Sequence, residues 1–404
     1  MGIPGLTGRV ERHKTKVHDD ELGKYTAIVD GPSLAYHVCE AIKIKGDCGS
    51  YRCYRRTAVK YIRKLLALFK KVEFYFDGAL PESKTHVRLS RANQRINNGF
   101  VPVLASTLLC DVLEVDFPDV ETVIVADEAD NAIACVVEEN SNGPVMIVSS
   151  DSDFYTYMFS RDDIYIMNPK WCDLSGNTPI IYRIQLQSGK RTLVEEALRK
   201  DPPKKFSKTD VTGVFPKAHE LVNSSNLSER VISYLPIVYE DRNSAPAWEC
   251  GARYRAHAYI QLLEKFDVDT VLEYYRSGSA YLPKRLALVE MEDIDELKSR
   301  ENLIESIIDE ILTNRGPGQA FRNQIVKYCE LVIEGHDDDD DDDNDIAKTL
   351  SSLRYTLPMQ QVFAKLQAVI YSLLLLQSTG VKLGIRLYTW HIEWAKFLAC
   401  QDAI

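Results

Sequence analysis

Six acidic residues each stand where an apolar run gives out: Asp30, Asp77, the pair Glu128 and Asp130, and the pair Asp151 and Asp153. Three of the runs ahead of them read as buried strands, Ala27-Ile28-Val29, Phe74-Tyr75-Phe76 and Val145 to Val148. In an open α/β sheet, residues beyond the carboxyl ends of the strands line the ligand crevice. Carboxylates gathered there cannot all stay ionised, because each raises the pKa of the others. Divalent cations relieve that repulsion, and hard oxygen donors select Mg²⁺ or Mn²⁺. The six acids therefore read as a metal site.

Singly, each has a plainer explanation. Asp30-Gly31 and Asp77-Gly78 are ordinary turn dipeptides, and Glu128 and Asp130 fall at the start of a helical pattern, where acids are common caps. Only the set of six, in order and after strands, points to metal.

A second feature follows Asp77. Lys84, Arg88, Arg91 and Arg95, placed at 100° per residue, fall within an arc of about 60° on one helix. Like charges in one line destabilise a helix unless something negative neutralises them. A row of phosphates would do so, and such contacts supply most sequence-independent nucleic-acid affinity. Tyr36, six residues after Asp30, is placed to stack on a base, although packing alone would also account for it.

The elements needed to position these groups are those of an α/β fold. Residues 1–170 alternate strand-like runs with helical patterns, which implies βαβ units and a mostly parallel twisted sheet flanked by helices. An amphipathic helix is expected over 56–71 and another over 129–139. A second, mainly helical region is expected from residue 186 to 404, with helices at 252–276, 285–298, 301–313, 318–334, 359–377 and 387–401. No fixed-period repeat is present. Asp337 to Asp343 form an unbroken acidic run, expected as a disordered loop near 335–347.

The net charge of −10 hides an asymmetry, because residues 41–100 carry fourteen Lys and Arg against four Asp and Glu. That local excess is the electrostatic mark of a polyanion partner. Nine scattered cysteines, with only Cys48 and Cys53 close together, do not make a zinc site and suit buried thiols in a reducing compartment. The longest apolar stretch, Ala368 to Leu376, is too short to span a bilayer. The opening residues lack the order of a secretory signal. An intracellular protein with no membrane partner is expected.

Together with the opening Met1-Gly2-Ile3-Pro4-Gly5-Leu6, these landmarks resemble the flap endonuclease/XPG family of structure-specific nucleases. The resemblance covers about residues 1–160. It matches Asp30 and Tyr36, the turn Phe76-Asp77-Gly78, Lys84 and Arg91 seven and fourteen residues beyond Asp77, and the pairs Glu128-Ala129-Asp130 and Asp151-Ser152-Asp153. It implies a PIN-like nuclease domain over 1–185, two Mg²⁺ ions (or Mn²⁺) and a nuclear protein of DNA repair. The six acids would ligate the ions directly or through water, Lys84 and Arg91 would act on the scissile phosphate, and Gly2, Tyr36, Arg88 and Arg95 would help to hold substrate.

Two departures stand out. The family's seventh carboxylate and its helix-two-turn-helix motif have no counterpart here; Asp201 and Asp210 are the nearest acids but carry no motif. The stretch from Asp77 to Glu128 is short, which implies a reduced helical arch. No sliding-clamp motif is seen, and a monomer is expected. Leu235-Pro236-Ile237 through Trp248 to Ala258-Tyr259, with Phe363 to Leu376, loosely resembles the Asteroid branch of the superfamily. The function so implied is a metal-dependent endonuclease acting on flaps or single-strand/double-strand junctions in DNA. Two others share the site: a nuclease-fold scaffold with weak or lost catalysis that binds RNA or protein, and an RNA-directed nuclease.

Overall fold

The computed structural model describes most of residues 3–42, 51–98, 105–208, 231–289 and 357–381, with isolated positions elsewhere. The acidic run, Gly2, Asp210 and the helices expected over 301–313, 318–334 and 387–401 lie outside the described residues. The chain forms two compact units. The first takes in residues 1–42, 54–81 and 105–210, and the second 43–53, 82–104 and 211–404.

The first unit is built on a seven-stranded sheet. Its strands are β1 (Thr15–Val17), β2 (Thr26–Asp30), β3 (Lys71–Phe76), β4 (Glu121–Ile124), β5 (Val145–Val148), β6 (Ile164–Met167) and β7 (Ile181–Gln185), in the order β1-β7-β6-β5-β2-β3-β4. β6, β5, β2, β3 and β4 run parallel, while β7 and β1 close one edge antiparallel. β2 and β5 are buried along their whole length, as a parallel strand covered on both faces must be.

Of the helices, α1 (Leu6–Glu11), α2 (Gly31–Ala41), α5 (Ala105–Asp116) and α6 (Ala129–Glu139) belong to this unit, as does most of α3 (Tyr51–Leu68). Ile28, Tyr75, Val123, Val145 and Ile147 pack with Ala129, Ala132, Ile133 and Val137 of α6 in one core. The alternate residue Phe76 lies against the start of α2. The strands found contain the three sequence-expected runs, and α6 has the bounds expected of it. α3 begins five residues before the amphipathic pattern.

The two Asp-Gly dipeptides are not turns of positive φ. Gly31 opens α2, and a Cβ there would stand 2.4 Å from the Phe76 ring. At Gly78 a Cβ would lie 1.9 Å from the Val125 carbonyl oxygen and 2.7 Å from that of Ala126. The glycine lets the Asp77 turn press against the chain leaving β4, with Gly78 N–H bonded to Asp127 O at 2.7 Å.

Over residues 252–287 the second unit departs from the helices expected at 252–276 and from 285 onward. α7 (Ala252–Leu262) ends well before residue 276, and two strands follow, β9 (Thr270–Ser277) and β10 (Ala280–Ala287). They form a hairpin through Gly278, at φ 61, and β8 (Ile232–Tyr234) pairs parallel with β9. Val271, Glu273 and Tyr275 alternate as buried residues along β9, a period of two that rules out a helix. Helix α8 (Leu357–Gln377) matches the expected 359–377. Among the described residues no helix is long and apolar enough to cross a membrane, and all six described cysteines are free thiols.

Gly78→Ala is expected to destabilise the fold by about 2 kcal/mol or more in urea denaturation, because backbone carbonyls cannot step aside. Gly8→Ala in α1, where a Cβ meets nothing within 4 Å, should be neutral or stabilising by about 0.5 kcal/mol. Equal effects at the two sites would refute the close-packing role of Gly78.

Candidate active site

Parallel pairing of β2 with β3 and β5 brings the carboxyl ends of these three strands side by side. Asp30 is the last residue of β2 and the N-cap of α2. Its Oδ1 accepts from Ser33 N–H at 3.0 Å and its Oδ2 from the Ser149 hydroxyl at 2.6 Å. Ser149 Oγ in turn accepts from Asp151 N–H at 2.9 Å, and Ser33 Oγ lies 2.8 Å from Ser150 Oγ. The chain leaving β5 is therefore tied to the start of α2 through serines. Asp151 then caps a 3-10 turn over Ser152–Thr156 by accepting from Asp153 N–H at 3.1 Å.

Asp77, exposed beyond β3, reaches across to the other acid pair. Its Oδ1 accepts from Ala129 N–H, the first amide of α6, at 2.9 Å. Glu128 is the N-cap residue of that helix but makes no side-chain cap bond, and Asp130 follows in the first turn. The capping duty expected of the Glu128 and Asp130 pair thus falls to Asp77. Ile3 N–H donates to Ser152 Oγ at 2.7 Å, so the described start of the chain is pinned between Asp151 and Asp153.

The electrostatics follow from this crowding. Asp30 is raised from 3.8 to about 7, chiefly by burial; its bonds to Ser149 and Ser33 oppose the shift, and Asp77 and Asp151 add to it. Burial also raises Asp130 well above the usual carboxylate range, reinforced by Asp30, Asp151, Asp77 and Asp153. Asp151 is raised by burial; the bond from Asp153 N–H and the charge of Lys200 oppose the shift, and the Asp153 carboxylate adds to it. Five of the six acids thus act on one another as one electrostatic group.

Among the described residues, no three Asp, Glu, His or Cys side chains are already drawn to the spacing that would hold one ion. The donor set nevertheless suits a hard divalent cation. It consists of carboxylates alone, and it holds more negative charge than its surroundings compensate.

The basic residues belong to the second unit. Arg88, Arg91 and Arg95 lie on α4 (Thr85–Asn98), but Lys84 ends a separate 3-10 turn over Glu82–Lys84. The helix expected to carry all four cations begins one residue after Lys84, so three of them lie on α4 and Lys84 directly precedes it. Leu89, Ala92 and Ile96 pack α4 on Tyr234, Ile237, Tyr274 and Tyr281, and Asn93 Oδ1 accepts from Tyr281 N–H at 3.0 Å. Arg88 lies over the Tyr234 ring at 4.7 Å, while Lys84 and Arg91 are exposed. Tyr36 is half-buried on α2.

Sequence reasoning missed Ser33, Ser149 and Ser150, which fix the carboxylates. The run Ser149-Ser150-Asp151-Ser152-Asp153 straight after an apolar strand was the available signal. It also missed the segment carrying Lys200. Asp201, one of the two acids nearest to a seventh ligand, is exposed.

No family model matches the chain. Asteroid homolog 1 of the fission yeast Schizosaccharomyces pombe is 30% identical over 169 residues, which make up 39% of this chain and 30% of that protein. The chain thus spans under a third of the relative it matches. Among solved structures, the catalytic core of Rad2 in complex with DNA substrate is similar at 18% identity and a TM-score of 0.35, over 46% of this chain and 55% of that one. Human GEN1 in complex with Holliday junction DNA is similar at 17% identity and a TM-score of 0.32, over 46% and 44%. The chain is thus similar over 169 residues to an Asteroid homolog, and the order of its acidic motifs resembles that of the flap endonuclease/XPG nucleases.

Proposed function

We propose that this nuclease-fold protein is a divalent-metal-dependent endonuclease that hydrolyses phosphodiester bonds in DNA at flaps or single-strand/double-strand junctions. The observation that carries the reading is the gathering of Asp30, Asp77, Asp130, Asp151 and Asp153 at the carboxyl ends of β2, β3 and β5, where they act on one another. Residues 1–185 are the nuclease domain in this reading and 186–404 the second domain.

Mg²⁺ or Mn²⁺, two ions per site, would when bound supply activation of water and stabilisation of the leaving oxygen. Asp30, Asp77, Glu128, Asp130, Asp151 and Asp153 would hold them. Ser149 and Ser33 keep Asp30 in one orientation, and the Asp77 bond to Ala129 N–H sets Asp77 relative to α6. Lys84 and Arg91 are assigned to the phosphoryl oxygens by their offsets from Asp77, where they would stabilise developing charge. Gly2, Tyr36, Arg88 and Arg95 are assigned to holding substrate, with Arg88 acting from its seat on Tyr234. The products would carry a 5′-phosphate and a 3′-hydroxyl, and the protein would serve DNA repair in the nucleus as a monomer.

A scaffold that binds nucleic acid without cutting it is the second reading. It is favoured by the spacing of the acids, no three of which are drawn to one ion among the described residues.

The test is cleavage of end-labelled 5′-flap, splayed-arm, 3′-overhang and single-stranded DNAs and an RNA flap, with Mg²⁺ or Mn²⁺. Metal-dependent cuts near a junction are expected, reduced roughly 10²-fold or more by Asp151→Ala. Binding without cutting would favour the scaffold, and cutting of the RNA alone would reassign the substrate. Lys84→Ala should lower turnover about tenfold or more while affinity changes far less; an effect on affinity alone would remove it from the chemistry.

The raised Asp30 also gives a stability test. Between 3.8 and about 7 the folded chain binds a proton that the unfolded chain has lost, so stability falls as pH rises through that window. In EDTA, Asp30→Asn should flatten this fall. Mg²⁺ should raise the melting temperature of the wild type above about pH 7 and do so less for the variant. An unchanged pH slope in the variant would refute the burial of a strained Asp30 carboxylate.

A further inference from the structure

The segment Arg199-Lys200-Asp201-Pro202-Pro203-Lys204-Lys205-Phe206-Ser207-Lys208 holds five cations against one carboxylate and has no periodicity of its own. Backbone pairing fixes it at both ends. Lys200 N–H donates to Thr156 O at 3.0 Å, and Met158 N–H donates to Lys200 O at 2.9 Å, just past the Asp151 and Asp153 turn. At the other end Ala126 N–H donates to Ser207 O at 2.8 Å and Val125 bridges Lys208, just before Glu128 and beside the Gly78 turn. In the sheet order β2 and β3 lie between β5 and β4, so the two anchors flank the strands that end in Asp30 and Asp77.

Its side chains divide by role. Phe206 packs edge-on against Tyr75 at 6.3 Å and joins the core under α6. Pro202 and Pro203 are half-buried and favour an extended chain. Lys200, Lys204, Lys205 and Lys208 are exposed. Lys200 Nζ sits 4.0 Å over the ring of buried Tyr157, whose hydroxyl donates to Asn131 Oδ1 beside Asp130. Lys208 is shared with Glu121 at 4.0 Å.

An acidic crevice repels the phosphodiester it would have to admit, so a strand can settle there only where cations line the rim. We propose that residues 199–208 form such a rim, a basic rail that holds the sugar-phosphate backbone of a single-stranded nucleic acid alongside the carboxylates. The inference builds on the nucleic-acid reading above but not on cleavage. The rail lies wholly within the first unit, and it reads backbone charge, which DNA and RNA share. Its anchored, proline-stiffened course lowers the ordering cost of binding.

The test uses the full chain in EDTA, with fluorescein-labelled oligothymidine and oligouridine followed by anisotropy across a salt series. Lys200→Ala/Lys204→Ala/Lys205→Ala should weaken both ligands and reduce the slope of log Kd against log salt by about 2, three phosphate contacts at about 0.7 each. The control Lys16→Ala/Lys24→Ala/Lys70→Ala removes the same charge from β1 and from the amino ends of β2 and β3, and should leave both readings near wild type. Unchanged melting temperatures in the two variants establish that they fold.

Equal loss in both variants would reduce the effect to net charge and overturn the rail, as would no loss in the first or no binding by the wild type. Loss confined to one polymer would overturn the backbone reading. Absence of cleavage by the wild type, with binding lost in the rail variant, would count against the nuclease and for the rail.

Discussion

Negative charge concentrated at one edge of a buried sheet is the constraint around which the first unit is arranged. β2 is inaccessible along its whole length, so Asp30 at its end cannot be solvated by bending outward. Three helical starts converge on this edge instead. Asp30 caps α2, Asp77 receives the first amide of α6, and Asp151 caps the 3-10 turn after β5. A helix N-terminus offers roughly half a positive charge, in amides that point at the carboxylate. That compensation is partial, since Asp30 and Asp130 still stand far above the ordinary carboxylate range. Local folding thus supplies part of the positive charge that the edge demands.

The second unit treats buried charge in the opposite way. Arg255 is almost wholly inaccessible, yet its guanidinium bonds Glu273 at 2.7 and 3.0 Å, Trp248 O at 2.6 Å and Ser372 Oγ at 2.9 Å. Arg276 and Glu240 form a second buried pair at 2.5 Å. Here each charge has its counter-charge within the chain, which fixes the packing of α7, α8 and the small sheet rather than inviting a ligand. Buried pairs of this kind contribute little net stability, but removing one partner is costly.

The parts legible in the sequence were those written by continuous burial. A strand covered on both faces is a short apolar run, so β2, β3 and β5 stood out, and the acids at their ends with them. β9 did not, because its buried face carries Glu273 between Val271 and Tyr275, and a charged residue at a core position hides the period of two. The partner that makes Glu273 tolerable lies on α7, eighteen residues earlier, beyond any local window. The roles of Gly31 and Gly78 were hidden for a related reason. Both are needed for contacts with Phe76 and Val125, distant in sequence, and not for a local φ. The segment 199–208 lacked any period because long-range backbone pairing holds it in place.

The plain and the chemical readings of the acids are not rivals. A carboxylate offers about four lone-pair sites, and a cap bond occupies one. At Asp30 the bonds from Ser33 and Ser149 act on different oxygens, so the carboxylate plane is fixed and its other lone pairs keep a set direction. Asp77 is oriented by Ala129 N–H and Asp151 by Asp153 N–H in the same manner. Capping is therefore what makes these acids usable together. A free aspartate would swing away from its neighbours to lower the repulsion, and ligand binding would have to bring it back. Holding the groups in place transfers that cost to folding, where the parallel sheet and the helices it carries already meet it.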